Sequence, residues 1–399
     1  MAEIQHEELT QEQAQRPKKS VFRSIFRVLW RVVAALLTLL LIAGAVYLVI
    51  HRDEVNSDAI RRYFVYHSVK SGNDADELEF TADTTGAMAV LDRGLLICSK
   101  TELTLVGKNG SQLIQETVKF EKPMIDVSGD YAVAYDAGGS VVYLISSGDI
   151  VQTYYPADGQ LILSARVNEK GSVTIVEQAN GYKAAVTVYT KTMSPILTEN
   201  ISSAFVTDAL LSPDGEQLAV VCIDENAEGF ESAVTFYRTS DGEVLYRTPI
   251  GSDMPLDMAW KGERDLWIVG EYGAYEISSG VITHSYVDST QFLRGYSLGG
   301  SDYALLYYTR YQSGTSGSMT TVNENGTERS IGIGEDILSV AAEGDYIAVL
   351  TASELTVYNS ELTACASTLN TVGARRVLMR DDGAVLLVAA STATLFVPE

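Results

Sequence analysis

From residue 77 onward the chain alternates short apolar runs with polar turns, and no stretch keeps a helical period. Runs rich in Val, Ile, Leu, Tyr and Thr recur between turns such as Asn109-Gly110, Asp214-Gly215 and Asp382-Gly383, dipeptides suited to tight hairpins. A second period of roughly 35–50 residues overlies this alternation, the range of propeller repeats. Each unit reads as an inner strand, a tight turn, a very apolar second strand, a third strand and a polar outer strand. The second strands are plainest, at 95–97, 131–134, 173–176, 218–221, 266–269, 303–306, 346–349 and 385–388. They predict an all-β fold, a β-propeller of eight blades of four-stranded sheets, with units starting near residues 86, 123, 160, 204, 254, 292, 336 and 375. A seven-bladed ring with one mis-split repeat is the alternative.

The last unit has only three strands, at 376–379, 384–390 and 394–397. A ring left open there would expose sheet edges. Residues 77–82 precede the first complete unit and are free to supply the missing outer strand, joining the two ends of the domain.

The hydropathy pattern changes before residue 77. Residues 32–50 are uninterrupted apolar or small side chains and, as a helix, would span about 28 Å, one bilayer core. Arg16, Lys18, Lys19, Arg23, Arg27 and Arg31 precede them, whereas His51 and Arg52 give way to Asp53 and Glu54. This asymmetry predicts a transmembrane helix with a cytoplasmic N-terminus. A cleavable signal is the rival reading, because Ala43-Gly44-Ala45 is a small-x-small pattern. Against it, the apolar run continues through Ile50, and Trp30 and Tyr47 sit where interfacial aromatics belong. Cleavage after Ala45 is left open. The expected organisation is a basic cytoplasmic tail (1–31), a transmembrane helix (32–50), a juxtamembrane connector (51–76) and an extracytoplasmic propeller (77–399). Within the connector, the segment starting at Ser57 has an N-cap and near-helical apolar spacing.

Charge and chemistry narrow the function by exclusion. The chain carries a formal −23, and residues 1–50 hold more basic than acidic side chains, so the excess lies wholly beyond them. Such a surface disfavours nucleic acid as a partner. Cys98, Cys222 and Cys365 are few, distant and embedded in apolar strand-like runs, so they read as small buried hydrophobes. Of four histidines only His284 falls in the propeller, on an outer-strand segment, which removes the usual triads and His-rich metal sites. No nucleophile elbow, P-loop or Cys-x-x-Cys occurs. No catalytic, cofactor-binding or metal-binding residue is assigned, and no cofactor is expected.

Ser212-Pro213-Asp214-Gly215 followed by Glu216-Gln217-Leu218-Ala219-Val220 resembles the repeat of the TolB and WD40-like propellers, and Arg380-Asp381-Asp382-Gly383 is a weaker echo. The layout of basic tail, single anchor, Arg61-Arg62-aromatic connector and propeller also resembles an uncharacterised family, a domain of unknown function, of single-pass membrane-anchored propellers in Gram-positive anaerobes. These resemblances imply the fold and the anchoring, and no activity.

In a propeller the second-to-third-strand loops share a face with the connections between blades. Two are long here, 224–231 in the fourth unit and 310–318 in the sixth, and the fifth unit turns quickly through Glu271-Tyr272-Gly273. Two walls and a low floor result, with Phe230, Tyr272 and Tyr311 as candidate partner-binding residues. Neutral insertions at permissive loop tips are the plainer explanation of the same lengths. The expected function is a membrane-tethered, non-enzymatic module binding an extracytoplasmic protein or envelope component. The alternatives are a carboxylate- and tyrosine-based glycan-acting hydrolase or lyase, or a sensor ectodomain. Acids and tyrosines converging on the central channel would favour the enzyme.

Overall fold

A computed structural model describes residues 30–31, 37–38, 77–80 and 86–398, apart from 158, 227–228 and 372. Residues 1–60 and 61–399 form separate compact units. In the first, only Trp30, Arg31, Leu37 and Thr38 are described, in helical conformation. Among the described residues no helix is long and apolar enough to cross a membrane. The expected span 32–50 lies outside them except for Leu37 and Thr38, and the connector 51–76 lies wholly outside.

The second unit is a β-propeller of eight four-stranded antiparallel sheets. Inner strands begin blades 1 to 8 at Ala87–Leu91, Pro123–Ser128, Ile162–Val167, Phe205–Leu211, Pro255–Lys261, Phe292–Ser297, Ile337–Glu343 and Arg376–Met379. Each expected start falls within two residues of these, and the seven-bladed alternative is set aside. Blade 8 takes its fourth strand from the other end of the domain. Glu77–Glu79 pairs with Thr392–Phe396, in the register Glu77↔Thr394, Leu78↔Ala393, Glu79↔Thr392. The Phe80 amide then donates to the Ser391 carbonyl at 3.0 Å. Residues 81–82, also expected in this strand, lie outside the described residues.

The burial pattern explains why the repeats were readable. Second strands such as Gly94–Cys98, Tyr303–Thr309, Tyr346–Thr351 and Val385–Val388 are buried at every position, because both of their faces meet a neighbouring blade. Outer strands such as Val281–Val287 alternate between exposed and half-buried. The core is accordingly divided into eight apolar layers, each drawn from two adjacent blades. The layer that closes the ring sets Leu78 and Phe80 with Leu386, Val388 and Leu395 of blade 8 against Leu95, Ile97 and Val106 of blade 1.

Local chemistry fixes the inner hairpins. In blade 4, Ser212 Oγ donates to Asp214 Oδ1 at 2.5 Å and accepts from the Gln217 amide at 3.0 Å, while the Glu216 amide reaches Asp214 Oδ1 at 2.9 Å. Gly215 occupies the left-handed region at φ +82°, which a side chain would strain.

Two expectations need correction. Segment 224–231 is not a loop: the second and third strands of blade 4 run through it as Gln217–Asn226 and Gly229–Arg238, an overlong hairpin projecting from its blade. Arg247 on the outer strand holds it, pairing with Asp224 and lying 3.6 Å from Glu231. Cys365 is exposed, because it takes a solvent-facing position on the outermost strand of blade 7, Ala364–Thr368. Cys98 and Cys222 are buried as expected, and burial pushes their thiols up to about 12 and about 11.

Ring closure makes a direct prediction. Leu78 is 4% exposed, and Leu78→Ala should cost about 2–4 kcal/mol by cavity formation. Chemical denaturation followed by tryptophan fluorescence measures it; an unchanged midpoint would mean that the 77–79 strand does not hold the ring.

Candidate functional site

The inner strands surround a central channel, and five of them, in blades 3 to 7, carry a β-bulge near their start. Bulges re-aim side chains. The residues directly after them are Ser164, Asp208, Asp257, Gly295 and Ser339. Two of these acids meet Arg166, a charged residue in the inner strand of blade 3. Arg166 Nε and Nη2 donate to Asp208 Oδ2 at 2.9 and 2.6 Å, Nη1 to Asp126 Oδ1 at 2.9 Å, and Nη2 to Asp257 Oδ1 at 2.6 Å. One guanidinium therefore ties blades 2, 3, 4 and 5 together across the channel.

Main-chain and hydroxyl donors complete the cluster. Asp126 Oδ2 accepts from the Val167 amide at 2.8 Å, and Asp208 Oδ1 accepts from the Ala209 amide at 2.9 Å and from Ser164 Oγ. Asp257 Oδ1 also accepts from the Met258 amide at 2.8 Å. Among the described residues no donor reaches Asp257 Oδ2 or the Tyr296 hydroxyl. Burial works against the charge on Arg166, yet Asp208, Asp126 and Asp257 outweigh it and hold its proton firmly. Burial is also the largest influence on Asp126, whose carboxyl is raised above its ordinary range despite Arg166. Burial and then Asp257 push the Tyr296 hydroxyl up to about 12. With three carboxylates on one guanidinium, the cluster keeps an excess of negative charge. It lines a cavity of about 300 Å³ whose other walls include Met124, Leu163, Leu256 and Tyr135.

Asp126, Arg166, Asp208 and Asp257 were not singled out from sequence. Their signal was present: Asp126, Arg166 and Asp208 are each the lone charge of a mostly apolar inner strand, and Asp257 shares its strand only with Lys261 at the far end. Residues some 40 positions apart show no spacing that marks them as partners.

The three sequence-derived candidates fall on the second-to-third-strand connections of consecutive blades. Phe230 lies near the tip of the blade 4 hairpin, opposite Glu225, and is 40% exposed. Tyr311 stands in the connection between Tyr303–Thr309 and Gly317–Asn323 of blade 6, 63% exposed, with the Arg310 guanidinium 5.6 Å from its ring. Tyr272 is half-buried between them; its amide donates to Asp253 Oδ1 at 3.1 Å and its carbonyl accepts from the Tyr308 hydroxyl at 3.0 Å. Among the described residues the three rings make no ring contact with one another. They share a face without forming a cluster.

Exposed apolar side chains distinguish that face. In the propeller, exposed aromatics at inter-blade or second-to-third-strand connections are Tyr155, Tyr182, Phe205, Phe230, Phe292 and Tyr311. Met124, Leu161, Leu256, Val287 and Leu369 are exposed at the same end. The remaining exposed large hydrophobics of the propeller, Leu113, Val151, Ile196, Val244, Tyr246 and Val281, lie on outermost strands, with Leu113, Ile196, Val244 and Val281 at the end nearer the opposite face; of these six only Tyr246 is aromatic. Among the described residues, none lies in a turn of the opposite face.

This architecture defines an eight-bladed β-propeller of four-stranded antiparallel sheets. Residues 62–247 match the profile of a family of unknown function, DUF5711. No curated protein matches the chain. Among solved structures, the β-propeller domain of Cps50 (Swd1) from Myceliophteria thermophila superposes with a TM-score of 0.50 at 9% identity, covering 71% of this chain and 96% of that one. Dihydro-heme d1 dehydrogenase NirN, in complex with DHE, gives a TM-score of 0.50 at 15% identity, over 71% of this chain and 65% of its own. This chain thus spans less than two thirds of NirN, and at such identities the likeness is one of fold alone.

The Arg166 hub predicts a pH-dependent defect. Arg166→Met should cost about 1.5–3 kcal/mol by taking the charged donor away from part-buried carboxylates. Arg166 pulls the Asp126 carboxyl down, so without it Asp126 is raised further, the folded form takes up that proton more readily and the deficit shrinks on acidification. Urea midpoints at pH 8 and pH 5 measure it. An equal deficit at both pH values would show that charge is not the cause.

Proposed function

We propose that this chain is a membrane-tethered, extracytoplasmic, non-enzymatic interaction module that binds a protein or envelope component through its inter-blade face. The observation that carries the docking face is the one-sided distribution of exposed apolar side chains just described. A face that keeps aromatics in water at a cost of solvation, while its opposite keeps none in its described turns, is built to be covered. The overlong blade 4 hairpin and the blade 6 connection flank the short blade 5 turn, which Asp253 and Tyr308 hold rigid. Rigid scaffolds with projecting loops suit recognition.

The tether rests on sequence: the apolar run 32–50 and the basic residues before it.

Carboxylates and tyrosines do converge on the channel, the feature that would favour a glycan-acting enzyme. A pair of acids free to act as acid and base or nucleophile is needed for that chemistry. Here the oxygens of Asp126 and Asp208 are committed to Arg166, Ser164 and main-chain amides. The arrangement is a structural clamp.

Two experiments test this reading. With Ala2→Cys and Ser71→Cys introduced singly, a membrane-impermeant thiol reagent on intact cells should label Cys at 71 above the background set by Cys365 and spare position 2. The reverse pattern would refute the topology. The triple change Phe230→Ala, Tyr272→Ala, Tyr311→Ala should reduce recovery of a crosslinked partner from cells several-fold with the melting temperature maintained, as for interface anchors. Unchanged recovery with an intact fold would place the partner on another surface.

A further inference from the structure

We propose that the inter-blade end of the central channel receives one basic side chain, lysine or arginine, from an extended segment of a partner protein whose flanking apolar residues rest on the exposed side chains of that face. This rests on the reading of the inter-blade face as the docking surface and names what that surface recognises.

Size, charge and rim agree. The cavity of about 300 Å³ is at the lower end of the range of ligand pockets. Its charged wall holds three aspartates against a single arginine, and Asp257 Oδ2 accepts no hydrogen bond among the described residues. The Tyr296 hydroxyl beside it is likewise open. A part-buried carboxylate with an unused oxygen is stabilised by a charged donor. Met124 and Leu256 at the mouth are 44% and 47% exposed, apolar surface that the methylene stem of a lysine or arginine would cover while its head reaches the acids. An anion would meet the excess negative charge, an apolar side chain would leave Asp257 Oδ2 unmatched, and a neutral donor would leave the excess charge uncompensated.

The approach is also marked out. Leu256 and Asp257 open the inner strand of blade 5, the blade whose outer connection is short, between the projecting hairpin of blade 4 and the connection of blade 6. A segment lying in that sector would pass between Phe230 and Tyr311, over Tyr272, and end at the channel. The chain's net charge of −23 would draw a basic segment toward it.

The test uses the full chain and four pools of fluorescent hexapeptides with randomised flanks and lysine, arginine, norleucine or glutamate fixed at one central position. Anisotropy should show the lysine and arginine pools binding about tenfold more tightly than norleucine, the worth of a charged hydrogen bond. The glutamate pool should not bind, and added salt should erode the preference. Asp257→Asn, which keeps the acceptor toward Arg166 and Met258, should abolish the preference, and by removing one of the three carboxylates on Arg166 it should also lower the melting temperature slightly. Tyr296→Phe, which removes only a hydroxyl, should weaken the lysine pool alone and serves as the second variant because Asp257→Asn melts lower. Equal binding of lysine and norleucine pools, a preference that survives both variants, or no binding by any pool would overturn the proposal. Binding without charge preference that the Phe230, Tyr272, Tyr311 triple variant abolishes would remove the channel pocket and leave the docking face standing. Where no pool binds, partner crosslinking judges that face separately.

Discussion

Every sheet in this domain must bury two faces, and only its neighbours can cover them. A four-stranded blade alone would leave its second strand, apolar on both sides, in water. The ring solves this by making each blade the lid of the next, so the core exists as eight layers between sheets. Such an arrangement tolerates no gap. The chain ends after three strands of blade 8, and the short Glu77–Glu79 strand supplies the fourth from the opposite end of the domain. Leu78 and Phe80 matter less for their own area than for completing the layer between blades 8 and 1.

The same geometry divides the two faces by their freedom to vary. On one face the chain must reverse within a blade through tight hairpins, where Ser, Asp and Asn side chains satisfy backbone donors and Gly takes the left-handed positions. Asp382 Oδ1 accepts from the Ala384 amide at 3.1 Å, and Asn168 Oδ1 from the Ser172 amide at 3.0 Å, in the manner of the Ser212–Asp214 turn. On the other face the connections have no fixed length. The overlong blade 4 hairpin and the blade 6 connection both occur there, and so do the exposed aromatics. The docking face proposed above is thus the face on which the fold leaves the sequence free.

What was legible from sequence follows from this division. Second strands sandwiched between blades must be apolar at consecutive positions, so Leu95 to Ile97 or Tyr346 to Val349 announce themselves. Tight hairpins need particular turn residues, so Asp214-Gly215 and Asp382-Gly383 do as well. The missing strand of blade 8 was legible because an incomplete sheet is a physical deficit that an unassigned segment can fill. The form of segment 224–231 was not, since polar residues such as Asp224, Glu225 and Glu231 look alike in a loop and in a solvent-exposed hairpin held by Arg247. The exposure of Cys365 was hidden for a related reason: an alternating outer strand places neighbouring small residues on opposite sides.

The channel cluster was illegible for a deeper reason: its members come from the inner strands of different blades. Eight inner strands enclose a channel, and long charged side chains reach from one inner strand to others around it. Arg166 reaches past blade 4 to Asp257, and at the other end of the inner strands Lys261 Nζ reaches the Leu298 and Gly300 carbonyls of blade 6. Burial lowers the Lys261 amine to about 8, against the pull of Glu343 and Asp302. These crosspieces hold the inner strands without filling the space, and cavities of about 300 and 570 Å³ remain. Channel charge thus has a structural role, linking inner strands of different blades. Its excess sign, and the acceptor left unused on Asp257, are the parts that structure alone does not require.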